Sequence, residues 1–241
     1  MFSLLYQIFY QPLFNAFYAT LFFLYDYLSF NDLGVAIILL TLVVRIVLYP
    51  LFHKGMHHQT VMQRLQPKIK EIQNNHKGDM QKQSEALMDL YKEHNVNPLS
   101  GILFLLIQLP IFIAMYGLIR GLAGVTVLPL YSFVVARPDV NDMFLGLINM
   151  HERDIFLIVI AAALQYFQGQ YSLVRMAKKQ EGEELSTAEQ MGRNMVYIMP
   201  GITVVILWSF PSALALYWTA TTAFSILQQY FVNKSLAKRS A

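Results

Sequence analysis

The sequence predicts an all-α polytopic membrane protein with five transmembrane helices, an N-terminal interfacial amphipathic helix and a cytosolic antiparallel helical hairpin. Three observations carry that expectation. Of 241 residues, 56% are hydrophobic and 14% charged, whereas an ordinary soluble domain carries about 25% charged residues. Five apolar stretches approach the roughly 20 residues that a membrane-crossing helix requires. Lysine and arginine then fall almost entirely on one side of the topology these stretches define.

Taken in order, residues 1–30 are apolar, but Gln7, Gln11 and Asn15 recur every four residues and draw a polar stripe along one helical face. That pattern favours a helix lying in the outer-leaflet interface over a sixth span. The first span occupies 31–52, and from 33 to 51 only Gly34, Thr41, Arg45 and Pro50 interrupt its apolar run. In 53–97, Val61, Leu65, Ile69 and Ile72 form one helical series and Met80, Leu87, Met88 and Tyr91 a second, separated by the turn signal NNHKGD at 74–79. Two amphipathic series around such a turn predict a helical hairpin, with Pro67 bending its first arm. Asn97-Pro98 supplies a capping side chain and a first-turn proline for the second span, 98–119. An extracytoplasmic loop (120–154), a third span (155–174) and a cytosolic loop (175–194) follow. Spans four (195–210) and five (211–232) are joined tightly at Pro211-Ser212, and 233–241 is a cytosolic tail. Pro110 and Pro200 lie inside spans, where neighbouring helices satisfy the carbonyl a proline frees.

Orientation follows from charge. Fourteen of the 18 Lys and Arg lie in the hairpin, the 175–194 loop and the tail, and only Arg120, Arg137 and Arg153 lie opposite. The N-terminus is therefore expected outside and the C-terminus in the cytosol. The first cation in the chain is Arg45, so neither the positive n-region of a signal peptide nor an Arg-rich presequence is visible. A bacterial cytoplasmic membrane fits best.

Enzymatic chemistry has little footing. Cysteine is absent, and all 15 acidic residues and all six histidines fall outside the apolar cores 33–52, 99–119, 155–173, 195–210 and 213–232. Paired intramembrane aspartates, a zinc-protease motif and a phosphate-binding GxxxxGK[ST] loop are therefore missing. His53, His57 and His58 include an i,i+4 pair, but without a carboxylate neighbour they read as a mildly basic helix end suited, with Lys54, to anionic headgroups. The chain is expected to be no enzyme and to hold no metal or cofactor.

Arg45 is the anomaly. Nine residues at about 1.5 Å each place it roughly 13 Å along a helix from Lys54, and an arginine at a helix centre costs about 2.5–3.5 kcal/mol on insertion scales. No span offers a carboxylate. The candidates that remain are neutral: Thr41, one turn away, with Gln108, Gln165, Gln168 and Gln228 on other spans. Neutral groups solvate a guanidinium without neutralising it, which points to a hydrated, positively charged cavity opening toward the cytosol. The blander alternative is an arginine that staples helices through backbone carbonyls. Tyr217 and Trp218 read first as an interfacial aromatic belt, and Met56, Met62, Met80 and Met88 as packing or as an adaptable binding surface.

Four ordered stretches together resemble one family: LGVAIILLTLVVRIVLYPL (33–51), LQPKIKEIQ (65–73), LMDLYKEHNVNPLSGILFLLIQLPIFIAMYGLI (87–119) and LWSFPSALALYWTATTAFSILQQ (207–229). They look like the YidC/Oxa/Alb membrane-protein insertases, in a short form without a large outer domain. The resemblance implies that small or weakly hydrophobic proteins are inserted through a groove open to cytosol and lipid, alone or with the Sec translocon. It carries the family's groove threonine and arginine onto Thr41 and Arg45, and its aromatic pair onto Tyr217 and Trp218. The third-span glutamine falls on Gln168 or, three residues earlier, Gln165. Ser100-Gly101 stands where Gly-Gly is commoner, and a nine-residue tail argues against ribosome tethering through a long basic extension. The implied partners are nascent membrane proteins, the ribosome, the Sec translocon and membrane lipids, with no specific nucleic-acid recognition. Two rival expectations are a small-anion transporter with a midplane Arg45 site and a non-catalytic assembly scaffold.

Overall fold

The computed structural model describes residues 10–97, 99–122, 140–173 and 187–239. Gln7, Pro98, Arg137, Arg175, Lys178 and Lys179, used above, lie outside them. Among the described residues the chain forms nine helices and one short β-pair. The helices are α1 (Gln11–Tyr27), α2 (Leu33–Val47), α3 (Tyr49–Arg64), α4 (Gln66–Asn75), α5 (Met80–Glu93), α6 (Ser100–Leu122), α7 (Ile155–Leu173), α8 (Thr187–Leu207) and α9 (Ser212–Arg239). The strands β1 (Met143–Phe144) and β2 (Ile148–Asn149) pair antiparallel, Phe144 opposite Ile148.

Proline sets the main break. The run expected as one span over 33–52 is instead two helices, α2 and α3, meeting at Leu48 with a 71° bend. Pro50 sits in the first turn of α3, and its ring and missing N–H prevent α2 from continuing through it. The same device acts at Leu65, where α3 gives way to α4 with Pro67 in the first turn. Carboxylate caps start two other helices: Asp32 accepts from the Val35 amide at 2.9 Å, and Asp79 from the Lys82 amide at 3.1 Å. The Asn97 side chain accepts from the Leu99 amide at 2.8 Å just before α6.

α9 is the hub of the main core, packing on α7, α2, α3 and α6. Phe14, Leu21, Leu33, Ile37, Leu40, Met115, Leu118, Ile158, Leu207 and Leu214 are fully or almost fully buried there. α1 belongs to this core, because Phe14, Phe17, Leu21 and Tyr25 pack inward and the helix lies along α2 and α6. A second, smaller cluster of Leu65, Ile69, Leu90 and Val96 joins α4 and α5.

The outward faces are apolar as well. Ile46 and Val47 on α2, Leu106 on α6, Phe156, Val159 and Phe167 on α7, and Val205 on α8 are all exposed, more than a water-facing surface ordinarily carries. Among the described residues one helix is long and apolar enough to cross a membrane, at Ile155–Ser172, or two if α2 and α3 count as one broken span. Shorter apolar stretches lie at Leu106–Leu122 and Arg193–Leu207. The hydropathy of α9 is diluted by Thr219, Thr221, Thr222, Ser225, Gln228 and Gln229.

Candidate functional site

The inward stripe of α2 runs Leu33, Ala36, Ile37, Leu40, Thr41, and its next member is Arg45. Helical periodicity therefore turns the guanidinium toward α9, while Val43, Ile46 and Val47 face outward. Arg45 is 3% exposed. Its Cζ lies 4.3 Å from the centre of the Phe52 ring, and the Tyr217 phenol is within electrostatic reach. A straight helix would carry Phe52 about 10 Å further along the axis; the bend at Leu48 folds it back over the guanidinium. A desolvated cation over an aromatic face gains about 2 kcal/mol, which offsets part of the burial cost. Nη1 of Arg45 has no hydrogen-bond partner among the described residues, and none of their carboxylates pairs with it. Phe52 packs over the buried guanidinium.

The other expected residues come from four helices. Thr41, 1% exposed, donates its hydroxyl to the Ile37 carbonyl at 2.7 Å. Tyr217 and Trp218 are neighbours in sequence but point about 100° apart on a helix, so they serve different partners. Tyr217, 3% exposed, accepts from Gln108 Nε2 of α6 at 2.7 Å. Trp218 donates from Nε1 to Gln165 Oε1 of α7 at 3.0 Å, and Phe112 meets its ring edge-on at 6.1 Å. Of the two third-span glutamines, Gln165 makes the bond to Trp218; Gln168 contributes its backbone carbonyl to Ser172. Arg45, Thr41, Tyr217 and Gln108 thus gather on one side of α9, with Trp218 and Gln165 on the flank facing α7.

Two features were not anticipated. Phe52 read as one more apolar residue at the end of a span, and only the bend brings it to Arg45. The second is a buried polar row along α9: Thr222, Ser225, Gln229 and Asn233, with Gln228 beside it. Gln229 donates to Thr60 Oγ1 at 2.9 Å and to Asn233 Oδ1 at 3.2 Å, and Gln228 donates to the Tyr49 carbonyl at 3.2 Å, at the start of α3. The helical spacing of 222, 225, 229 and 233 was legible in the sequence, but its burial was not. Gln228 Oε1 and Asn233 Nδ2 have no partner among the described residues. No group of three or more metal-ligating side chains occurs among the described residues.

A family profile described as "60Kd inner membrane protein" matches residues 23–239. The chain is similar to proteins named "Membrane protein insertase YidC" from several bacteria. It is 35% identical to that of Wolinella succinogenes over 224 residues, covering 92% of this chain and 38% of the relative. The figures for Helicobacter pylori are 33% over 220 residues (90% and 36%), and for Geobacter metallireducens 28% over 219 residues (91% and 36%). The chain spans under two fifths of the length of these relatives.

Proposed function

This chain belongs to the 60Kd inner membrane protein (YidC/Oxa) family, and we propose that it is a membrane-protein insertase of the bacterial cytoplasmic membrane. In this reading the apolar helices form five spans with the N-terminus outside and the C-terminus in the cytosol. α1 lies toward the outer leaflet, and α3, α4 and α5 make a helical hairpin on the cytosolic side. The observation that carries the reading is the Arg45 guanidinium: buried, without a carboxylate among the described residues, and with Nη1 unpartnered there.

An unpaired buried cation is complementary to a polar or acidic segment of another chain passing through the membrane. Arg45 draws in the hydrophilic leading end of a nascent membrane protein and lowers the desolvation barrier that its polar groups would meet in lipid. Thr41, Tyr217 and Trp218, with Gln165 or Gln168, line the path. Phe52 covers Arg45 at rest and yields to the incoming chain. The substrate's apolar segment then leaves sideways into lipid, driven by burial of about 25 cal/mol per Å² of apolar surface. The process needs no covalent step and no nucleotide. Nascent membrane proteins are the substrates, the hairpin faces the ribosome or the Sec translocon, and lipid lies alongside.

The test is Arg45→Ala in reconstituted vesicles, scored by insertion of small substrates that differ in the charge of their leading segment. Insertion of acidic-ended substrates should fall first and by about tenfold, the equivalent of roughly 1.4 kcal/mol. Unchanged insertion of every substrate would overturn the electrostatic mechanism and leave the scaffold reading. Loss of small-anion flux with insertion intact would favour the transporter.

A further inference from the structure

Where α1 meets α2, apolar side chains occupy positions at which a water-facing loop carries polar ones. Phe30 has φ +56° and is 96% exposed, and Leu145 has φ +52° and is 63% exposed. Outside glycine, positive φ is uncommon and falls mostly to Asn and Asp. Leu145 and Gly146 both have positive φ at the centre of a β-turn closed by the Leu147 amide on the Phe144 carbonyl at 2.9 Å. Turns of that kind in hairpins prefer Asn-Gly or Asp-Gly; this one reads Leu-Gly, and Leu147 after it is 81% exposed.

The turn is held in place by Asp32. One carboxylate oxygen caps α2 at the Val35 amide, and the other accepts from the Leu145 amide at 2.6 Å. Phe144 is seated directly on Gly34, where a Cβ would collide with its ring. The tip is thereby pinned at the level where the apolar run of α2 begins, three residues after Phe30.

We propose that Phe30, Leu145 and Leu147 form an apolar tip that inserts into the outer leaflet at the boundary between headgroups and acyl chains. The proposal rests on the membrane topology given above. Three observations favour lipid over a protein partner. The tip is fixed at the start of a membrane helix. It is continuous along α1 with exposed Phe23 and Tyr27, whose rings lie 5.2 Å apart. Neither 27–31 nor 143–148 contains a charged residue, which suits the aromatic and apolar belt of an interface rather than the polar rim of a protein contact.

The absence of cysteine makes the test direct. Leu147→Cys, Val159→Cys and Lys82→Cys each carry a nitroxide in liposomes, and collisions with oxygen and with a water-soluble nickel chelate are measured. Val159 is exposed on the apolar face of α7, and Lys82 is exposed on α5. The oxygen-to-nickel ratio at 147 should match that at 159 and exceed that at 82 by about tenfold. A ratio at 147 equal to that at 82, with 159 lipid-like, overturns the tip alone. Protection of 147 from both reagents means that protein covers it, and also overturns the lipid assignment. A water-like 159 overturns the membrane topology and the tip with it.

Discussion

At the Ser212 end of α9, the amides of Ser212 and Ala213 reach the carbonyls of Glu152 and Met150 at 2.7 and 3.1 Å, and the Ser212 hydroxyl bonds the Asn149 carbonyl. Leu207, Ala213 and Leu214 pack around that junction with no exposed surface. Toward the Arg239 end, Gln228 and Asn233 are equally buried, yet Gln228 Oε1 and Asn233 Nδ2 find no partner among the described residues. An orphaned buried polar atom costs about 1–3 kcal/mol. The first end has one too, His151 Nδ1, so what separates the two ends is whether the orphans sit on α9 itself. The first satisfies its free helix-end amides and closes. The second keeps spare hydrogen-bonding capacity, with Gln228 reaching the Tyr49 carbonyl just after the α2–α3 bend. In the insertase reading, the first is the sealed outer end and the second the side from which a polar chain enters.

That contrast is breakable. The largest effect is expected from Leu207→Ala, which opens a cavity in the closed end and should cost about 2–5 kcal/mol, read as a lowered denaturation midpoint in detergent. Asn233→Leu should leave stability within about 1 kcal/mol of the parent, because its amide nitrogen is unpaired and Gln229, which loses one acceptor, keeps Thr60 Oγ1, while insertion falls. A loss of stability as large as that of Leu207→Ala would make the polar row structural and erase the distinction. The smallest effect lies outside both ends. Asp79 lies at the surface with its side chain partly covered, and the Lys82 amide it caps holds its carboxyl below the ordinary carboxylate value. A carboxyl whose folded pKa is depressed adds stability above its unfolded pKa and loses it as pH falls through the folded one. The exchange protection of the Lys82 amide should therefore persist at neutral pH and disappear in acid, with both ends of α9 unaffected. Protection unchanged through that range would show that the cap does not anchor α5.

Much of the architecture could be read directly. The bend at Pro67, the turn at 74–79 and the two apolar series of the hairpin were legible, and Leu65, Ile69, Leu87 and Tyr91 of those series pack where α4 meets α5. The break at Pro50 was not, because the apolar run continues through it. Arg45 stood out because a cation inside an apolar run is conspicuous whatever the fold. Phe52 was hidden for the opposite reason, since another aromatic at a span end carries no signal. The choice between Gln165 and Gln168 was equally invisible, because three residues apart on a helix both point to roughly the same side.

The sequence by itself determined the all-helical class, the bend at Pro67 and the one cation inside an apolar run, because these follow from hydropathy, backbone sterics and charge within a few residues. Only the tertiary structure decided what surrounds that cation. The 71° bend carries Phe52 onto Arg45, and α9 sends Tyr217 to α6 and Trp218 to α7. Those contacts join residues up to 109 positions apart, and their geometry depends on how whole helices cross, which no local pattern encodes.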